Sequence, residues 1–81
     1  MPTVTVHLFA GLKEAVGERI QVALPEEATA ADLKCAVAER FPESAELVER
    51  SAVAVDRRLV RSSEAVTPGE EIALLPPVSG G

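Results

Sequence analysis

The chain has 81 residues, enough for one hydrophobic core and too few for two. Thirteen Asp and Glu against eight Lys and Arg give a formal net charge of −5, which argues against a nucleic-acid-binding surface and fits docking on a basic partner. One cysteine excludes an internal disulfide, and two Phe with no Trp or Tyr leave the core to Val, Leu, Ile and Ala. No apolar run is long enough to span a membrane, Met1-Pro2-Thr3-Val4 shows no signal-peptide start, and the lone Cys35 makes a cytoplasmic location the expectation.

Thr3 to Phe9 alternates, with Val4, Val6 and Leu8 on one face and Thr3, Thr5 and His7 on the other, the pattern of a half-buried strand. His7 is expected at the surface or an interface. No second His or Cys stands at ligand spacing, so no metal site is expected. Ala10 to Gly17 holds a turn of helix, Leu12 to Val16, which Gly17 ends. A second strand turns Ile20, Val22 and Leu24 inward and Arg19, Gln21 and Ala23 outward, and its short connection predicts antiparallel pairing with the first.

After the polar break Pro25-Glu26-Glu27, Thr29 reads as a helix N-cap, with Asp32 three residues on completing a capping box. The helix is predicted to run to Phe41, where Pro42 stops it. Leu33, Ala36, Val37 and Phe41 share its apolar face, and Cys35 points outward with no base beside it. A short helical turn is predicted at Ala45 to Val48. A third strand follows from Ala52 to Val55, then a tight turn Asp56-Arg57-Arg58, a short return strand at Leu59-Val60, and a turn at Thr67-Pro68-Gly69-Glu70. The last strand, Glu71 to Leu75, sets Ile72 and Leu74 on one face and Ala73 and Leu75 on the other. Apolar residues on both sides predict a central or interface strand.

One long helix and several strands predict an α+β fold with that helix on one face of a mixed sheet. Laying the last strand beside the first, in parallel at the middle, gives the ubiquitin-like, or β-grasp, architecture. The expected core is Leu8, Ile20, Val22, Leu33, Val37, Ile72 and Leu74. Residues 1–76 are expected to form the β-grasp domain and residues 77–81 a flexible tail, Pro77-Val78-Ser79-Gly80-Gly81. Pro76 and Pro77 cannot donate to a ladder, so the strand is expected to stop there. The five tail residues span roughly 16 Å when extended.

Chemically, only the tail is distinctive. Ser62-Ser63 lacks a partnered His, and the single His, His7, lies far from Cys35 in sequence. A backbone carboxylate at a side-chain-free end, by contrast, is open to activation by ATP as an acyl-adenylate that a nucleophile then attacks. Glycine suits this because a Cβ would clash in a narrow channel.

Five stretches carry a resemblance over the whole length: Leu8-Phe9-Ala10, Leu12-Lys13-Glu14 closed by Gly17, Ala54-Val55-Asp56 with Leu59-Val60, Pro68-Gly69-Glu70-Glu71, and Pro76-Pro77-Val78-Ser79-Gly80-Gly81. On these the chain resembles the MoaD/ThiS family of sulfur carriers, and its Pro-Pro-Val lead-in is similar to the molybdopterin branch. It departs from the family pattern at Leu74 and Leu75, where aromatics are common, and at Asp56, where Asn is common.

The resemblance implies a small subunit of molybdopterin synthase that is not catalytic alone. Gly81 would be the reacting residue, adenylated with ATP by an activating enzyme and then converted to a thiocarboxylate. No cofactor would be bound permanently. The tail, Pro77 to Gly81, would insert into a large catalytic subunit within a heterotetramer of two small and two large subunits. Sulfur would pass there to cyclic pyranopterin monophosphate. Phe9, Ala73 and Leu75, on the sheet face away from the helix, are the expected partner interface. A carrier for thiazole, cysteine or tRNA thiolation and a ubiquitin-like interaction module are the alternatives.

Overall fold

The structure, a computed structural model, describes residues 2–77. In chain order the elements are β1 (Thr3–Leu8), α1 (Ala10–Ala15), β2 (Arg19–Ala23), α2 (Ala30–Arg40), a 3-10 turn (Pro42–Ser44), α3 (Ala45–Glu49), β3 (Ala52–Val55), β4 (Arg58–Val60) and β5 (Ile72–Leu75). The five strands form one sheet in the order β2-β1-β5-β3-β4. β1 and β5 run parallel at its centre, and the other neighbours pair antiparallel. This is the β-grasp arrangement expected from the order of elements.

Alternation along the strands decides which side is buried. Val4, Val6 and Leu8 of β1 join Ile72 and Leu74 of β5 and Val53 and Val55 of β3 in one core, closed by Leu33 and Val37 of α2. Leu12 of α1 and Val48 of α3 complete it, both fully buried. Ile20, expected in the core, is only half-buried. It lies on β2, an edge strand, and packs against the core from the rim.

The N-terminus of α2 is fully satisfied. The Asp32 N–H donates to Thr29 Oγ1 at 3.2 Å, and the Thr29 N–H donates to Asp32 Oδ2 at 3.0 Å, closing the capping box. The Ala30 and Ala31 N–H groups donate to the carbonyls of Glu64 and Ser62, each at 2.9 Å. The 61–66 segment thus caps the helix that the sheet supports, and its Val66 is buried in the core. At the other end Phe41 leaves helical backbone, at φ −126° and ψ 71°, as the residue before Pro42 must. The helix stops one residue earlier than the sequence pattern predicts.

The end of β1 and the turn after β3 also differ from expectation. Phe9 is not the last residue of β1. It occupies the N-cap position of α1, and its carbonyl accepts the N–H groups of Leu12 at 3.1 Å and Lys13 at 3.3 Å. The turn after β3 holds two residues, not three: Val55 pairs with Arg58, and Asp56 and Arg57 take φ of 51° and 68°. Positive φ at both central residues is the type I′ geometry, whose twist matches that of the flanking strands. Arg58 therefore belongs to β4.

Candidate functional site

The outer face of the sheet, opposite the core, is built by the same alternation. Pairing aligns His7 of β1 with Ala73 of β5, Ala73 with Ala54 of β3, and Ala54 with Leu59 of β4, one row across four strands. Leu75 follows two residues after Ala73, beside Ala52. Phe9 stands two residues beyond His7.

Three large hydrophobic side chains are exposed among the described residues: Phe9 at 47%, Leu59 at 65% and Leu75 at 36%. All three line one shallow depression of about 320 Å³, floored by Ala54 and Ala73 and rimmed by Arg57 and Glu71. Small residues between large ones make the concavity. Single exposed apolar residues are ordinary, but a contiguous cluster marks a surface that meets something.

The hairpin tip anchors this depression. The Asp56 N–H donates to the Glu71 carbonyl at 2.8 Å, and the Glu71 N–H donates to Asp56 Oδ1 at 3.0 Å. These reciprocal bonds tie the β3–β4 turn to the start of β5, one residue before the core strand begins. Arg57 Nε lies 4.0 Å from Glu71 Oε1, an exposed pair that contributes little stability.

The structure therefore brings together the three residues expected at a partner interface, Phe9, Ala73 and Leu75. It adds Leu59, Ala54 and Glu71, which the sequence pattern missed, and Arg57 of the turn. The missed signal is the turn length. A two-residue turn sets Leu59 opposite Ala54 on the open face, whereas a three-residue turn leaves its facing undefined. Asp at the first turn position, tolerant of positive φ, was the available clue.

β5 delivers the chain from this face to Pro76, which is buried, and Pro77, which is exposed. Val78, Ser79, Gly80 and Gly81, the rest of the expected tail, lie outside the described residues. Cys35 is exposed on the solvent side of α2. Among the described residues no group of three His, Cys, Asp or Glu could hold a metal ion, and no buried side-chain N or O atom lacks a hydrogen-bond partner. No helix of the described residues is long and apolar enough to cross a membrane.

Residues 6–81 match the ThiS family, a span that includes the Gly80-Gly81 ending. Among curated proteins, the molybdopterin synthase sulfur carrier subunit of Synechococcus elongatus is 38% identical, over 98% of this chain and 97% of its own. The protein of the same description from Dictyostelium discoideum is 33% identical, over 94% and 93%. Among solved structures, small archaeal modifier protein 1 of Haloferax volcanii superposes with a TM-score of 0.81 at 28% identity, covering 96% of this chain and 100% of that one. A chain from the protein–protein complex of subunits 1 and 2 of molybdopterin-converting factor from Helicobacter pylori gives 0.67 at 25% identity, covering 98% and 99%.

Proposed function

This chain belongs to the ThiS family, and from that premise we propose that it is the sulfur-carrier small subunit of a molybdopterin synthase. The observation that carries the reading is the near-full-length match to two molybdopterin synthase sulfur carrier subunits, together with a family match running through the terminal glycines. The apolar depression supports it, because it lies where β5 leads into the Pro76-Pro77 base of the tail.

In this reading the Gly81 carboxylate attacks the α-phosphorus of ATP on an adenylating enzyme and releases pyrophosphate. A hydrosulfide-level donor then attacks the acyl carbon and expels AMP, leaving a thiocarboxylate. The loaded tail enters a pocket of the large catalytic subunit while Phe9, Leu59 and Leu75 are covered by that subunit. There the thiocarboxylate sulfur attacks an oxygen-bearing carbon of cyclic pyranopterin monophosphate, and the oxygen substituent leaves. Hydrolysis of the acyl–sulfur bond leaves sulfur on the pterin and returns the carboxylate. A dithiolene needs two sulfurs, so two carriers serve each product, which fits a heterotetramer. Gly80 and Gly81 pass a channel shaped for bare backbone, and Pro76 and Pro77 limit the entropy lost on entry. ATP belongs to the activating enzyme, the active site lies mainly on the large subunit, and the carrier works in the cytoplasm.

Mass spectrometry after incubation with ATP, an adenylating enzyme and sulfide should show one terminal oxygen replaced by sulfur. The loaded chain with a large subunit should then convert cyclic pyranopterin monophosphate. One residue added after Gly81 should abolish loading without changing the fold. Loading that proceeds equally well on the extended chain would sink the carrier reading. A loaded chain that supports only thiazole formation would move it to another branch of the family. The likeness to a small archaeal modifier protein gives a second reading, in which a lysine amine attacks the same adenylate. Isopeptide-linked products in place of the thiocarboxylate would favour it.

A further inference from the structure

The outer face has a second half. On β1 and β2 it carries Thr5, His7, Arg19 and Gln21, with His7 paired to Arg19 and Thr5 to Gln21. Thr5, Arg19 and Gln21, with Ile20 at the rim, line a depression of about 460 Å³. His7 belongs to the row that runs through Ala73 and Ala54 to Leu59, so this polar half continues the apolar one.

Its charge is opposite to that of the chain. The protein has thirteen Asp and Glu and a net charge of −5. Yet no carboxylate residue occupies an outer-face position on any of the five strands. Carboxylates stand at the margins of the face: exposed Glu18 precedes Arg19 in the chain, and at the hairpin end Asp56 Oδ1 accepts the Glu71 N–H while Glu71 Oε1 lies 4.0 Å from Arg57 Nε. Arg19 is exposed and makes no ion pair among the described residues. The free edge of β2 is partly occupied, since the Arg40 guanidinium donates to the Gln21 carbonyl. A partner there meets the face more readily than it extends the sheet.

We propose that the β1–β2 half of the outer face, centred on Arg19, reads a carboxylate on the large subunit whose apolar surface covers Phe9, Leu59 and Leu75. The inference rests on the docking reading above and sharpens it. Net charge alone points to a basic partner, whereas the face that docks asks for an acidic one. Arg offers a planar fork of donors suited to a carboxylate, and Thr5 and Gln21 supply neutral donors beside it. Apolar contact supplies affinity. The charge at the rim supplies rate of encounter and choice of partner.

The test is binding of the full-length chain to the large subunit of the same organism, measured across a salt series. The native chain should bind more weakly as salt rises. Arg19→Ala should lower the association rate roughly tenfold at low salt and flatten the salt dependence. Arg19→Glu should bind more weakly still, and Arg19→Lys should restore the salt slope. An unchanged denaturation midpoint for each variant would show that the fold is intact. Leu75→Glu serves as the control for the docking face itself. Native rate and salt slope in Arg19→Ala, with binding lost in Leu75→Glu, would overturn this inference and leave the docking reading standing. Native binding in both variants would overturn both.

Discussion

On β5, Ile72 and Leu74 are fully buried in the core, while Ala73 and Leu75, one position away, stand on the open side. Neighbouring strands repeat the contrast. Val53 and Val55 are buried inward, and Leu59, across from Ala54, is exposed outward. Inside, branched aliphatic residues fill the space between sheet and helices. Outside, alanines separate three large side chains and leave a concavity. Burial accounts for the inner apolar residues, at about 25 cal/mol per Å² removed from water. It does not account for the outer ones, which stay wet in the isolated chain. One strand therefore presents apolar residues on both faces, one packed into the core and one left open.

The largest expected effect tests the inner face. Leu74→Ala should destabilise the domain by about 2–5 kcal/mol, read from the urea midpoint, because the cavity forms where the surroundings are closed. A neutral result would mean that the inner face is looser than its burial indicates. On the outer face the expectation reverses. Leu75→Glu should leave stability within about 0.5 kcal/mol yet cost 2 kcal/mol or so of affinity for the large subunit, measured by calorimetry. Unfolding of that variant would erase the distinction between the faces.

A smaller effect concerns the turn that places Leu59. Arg57 holds φ at 68°, so Arg57→Gly should raise stability by about 0.5–1 kcal/mol, the exposed pair with Glu71 being a minor loss. A fall in stability would show that the Arg57 side chain contributes more to the hairpin than its exposure indicates. The smallest effect is expected at Cys35, which belongs to neither face. Cys35→Ser should leave both the denaturation midpoint and sulfur loading unchanged. Lost loading in a folded variant would add a third functional surface, on α2.

Several features of the fold are legible in the sequence. Period-two alternation identified β1 and β2, the Thr29 and Asp32 pair marked the start of α2, and two prolines ended β5. The two-sided apolar pattern of Ile72 to Leu75 predicts a central or interface strand, and the sheet has it at the centre. Alternation put Phe9, Ala73 and Leu75 on one face, and these residues do share one depression. These readings succeeded because each depends on residues within a few positions of one another.

The rest needed contacts across the chain. That Ile20 is half-buried depends on β2 being an edge, which its own residues do not declare. That residues 61–66 cap α2 depends on backbone hydrogen bonds spanning some thirty positions, as from Ala31 to Ser62, and carbonyls carry no sequence signature. Leu59 reaches the open face through a turn one residue shorter than its composition indicates, and a single residue of register exchanges the two faces of a strand. By itself the sequence determined which residues are apolar, at what local period, and that the chain ends in two glycines. Only the tertiary structure decided that Leu59 and Ala54 join Phe9, Ala73 and Leu75 in one depression on the open face. That choice belongs to the pairing of strands distant in sequence, and local periodicity does not specify it.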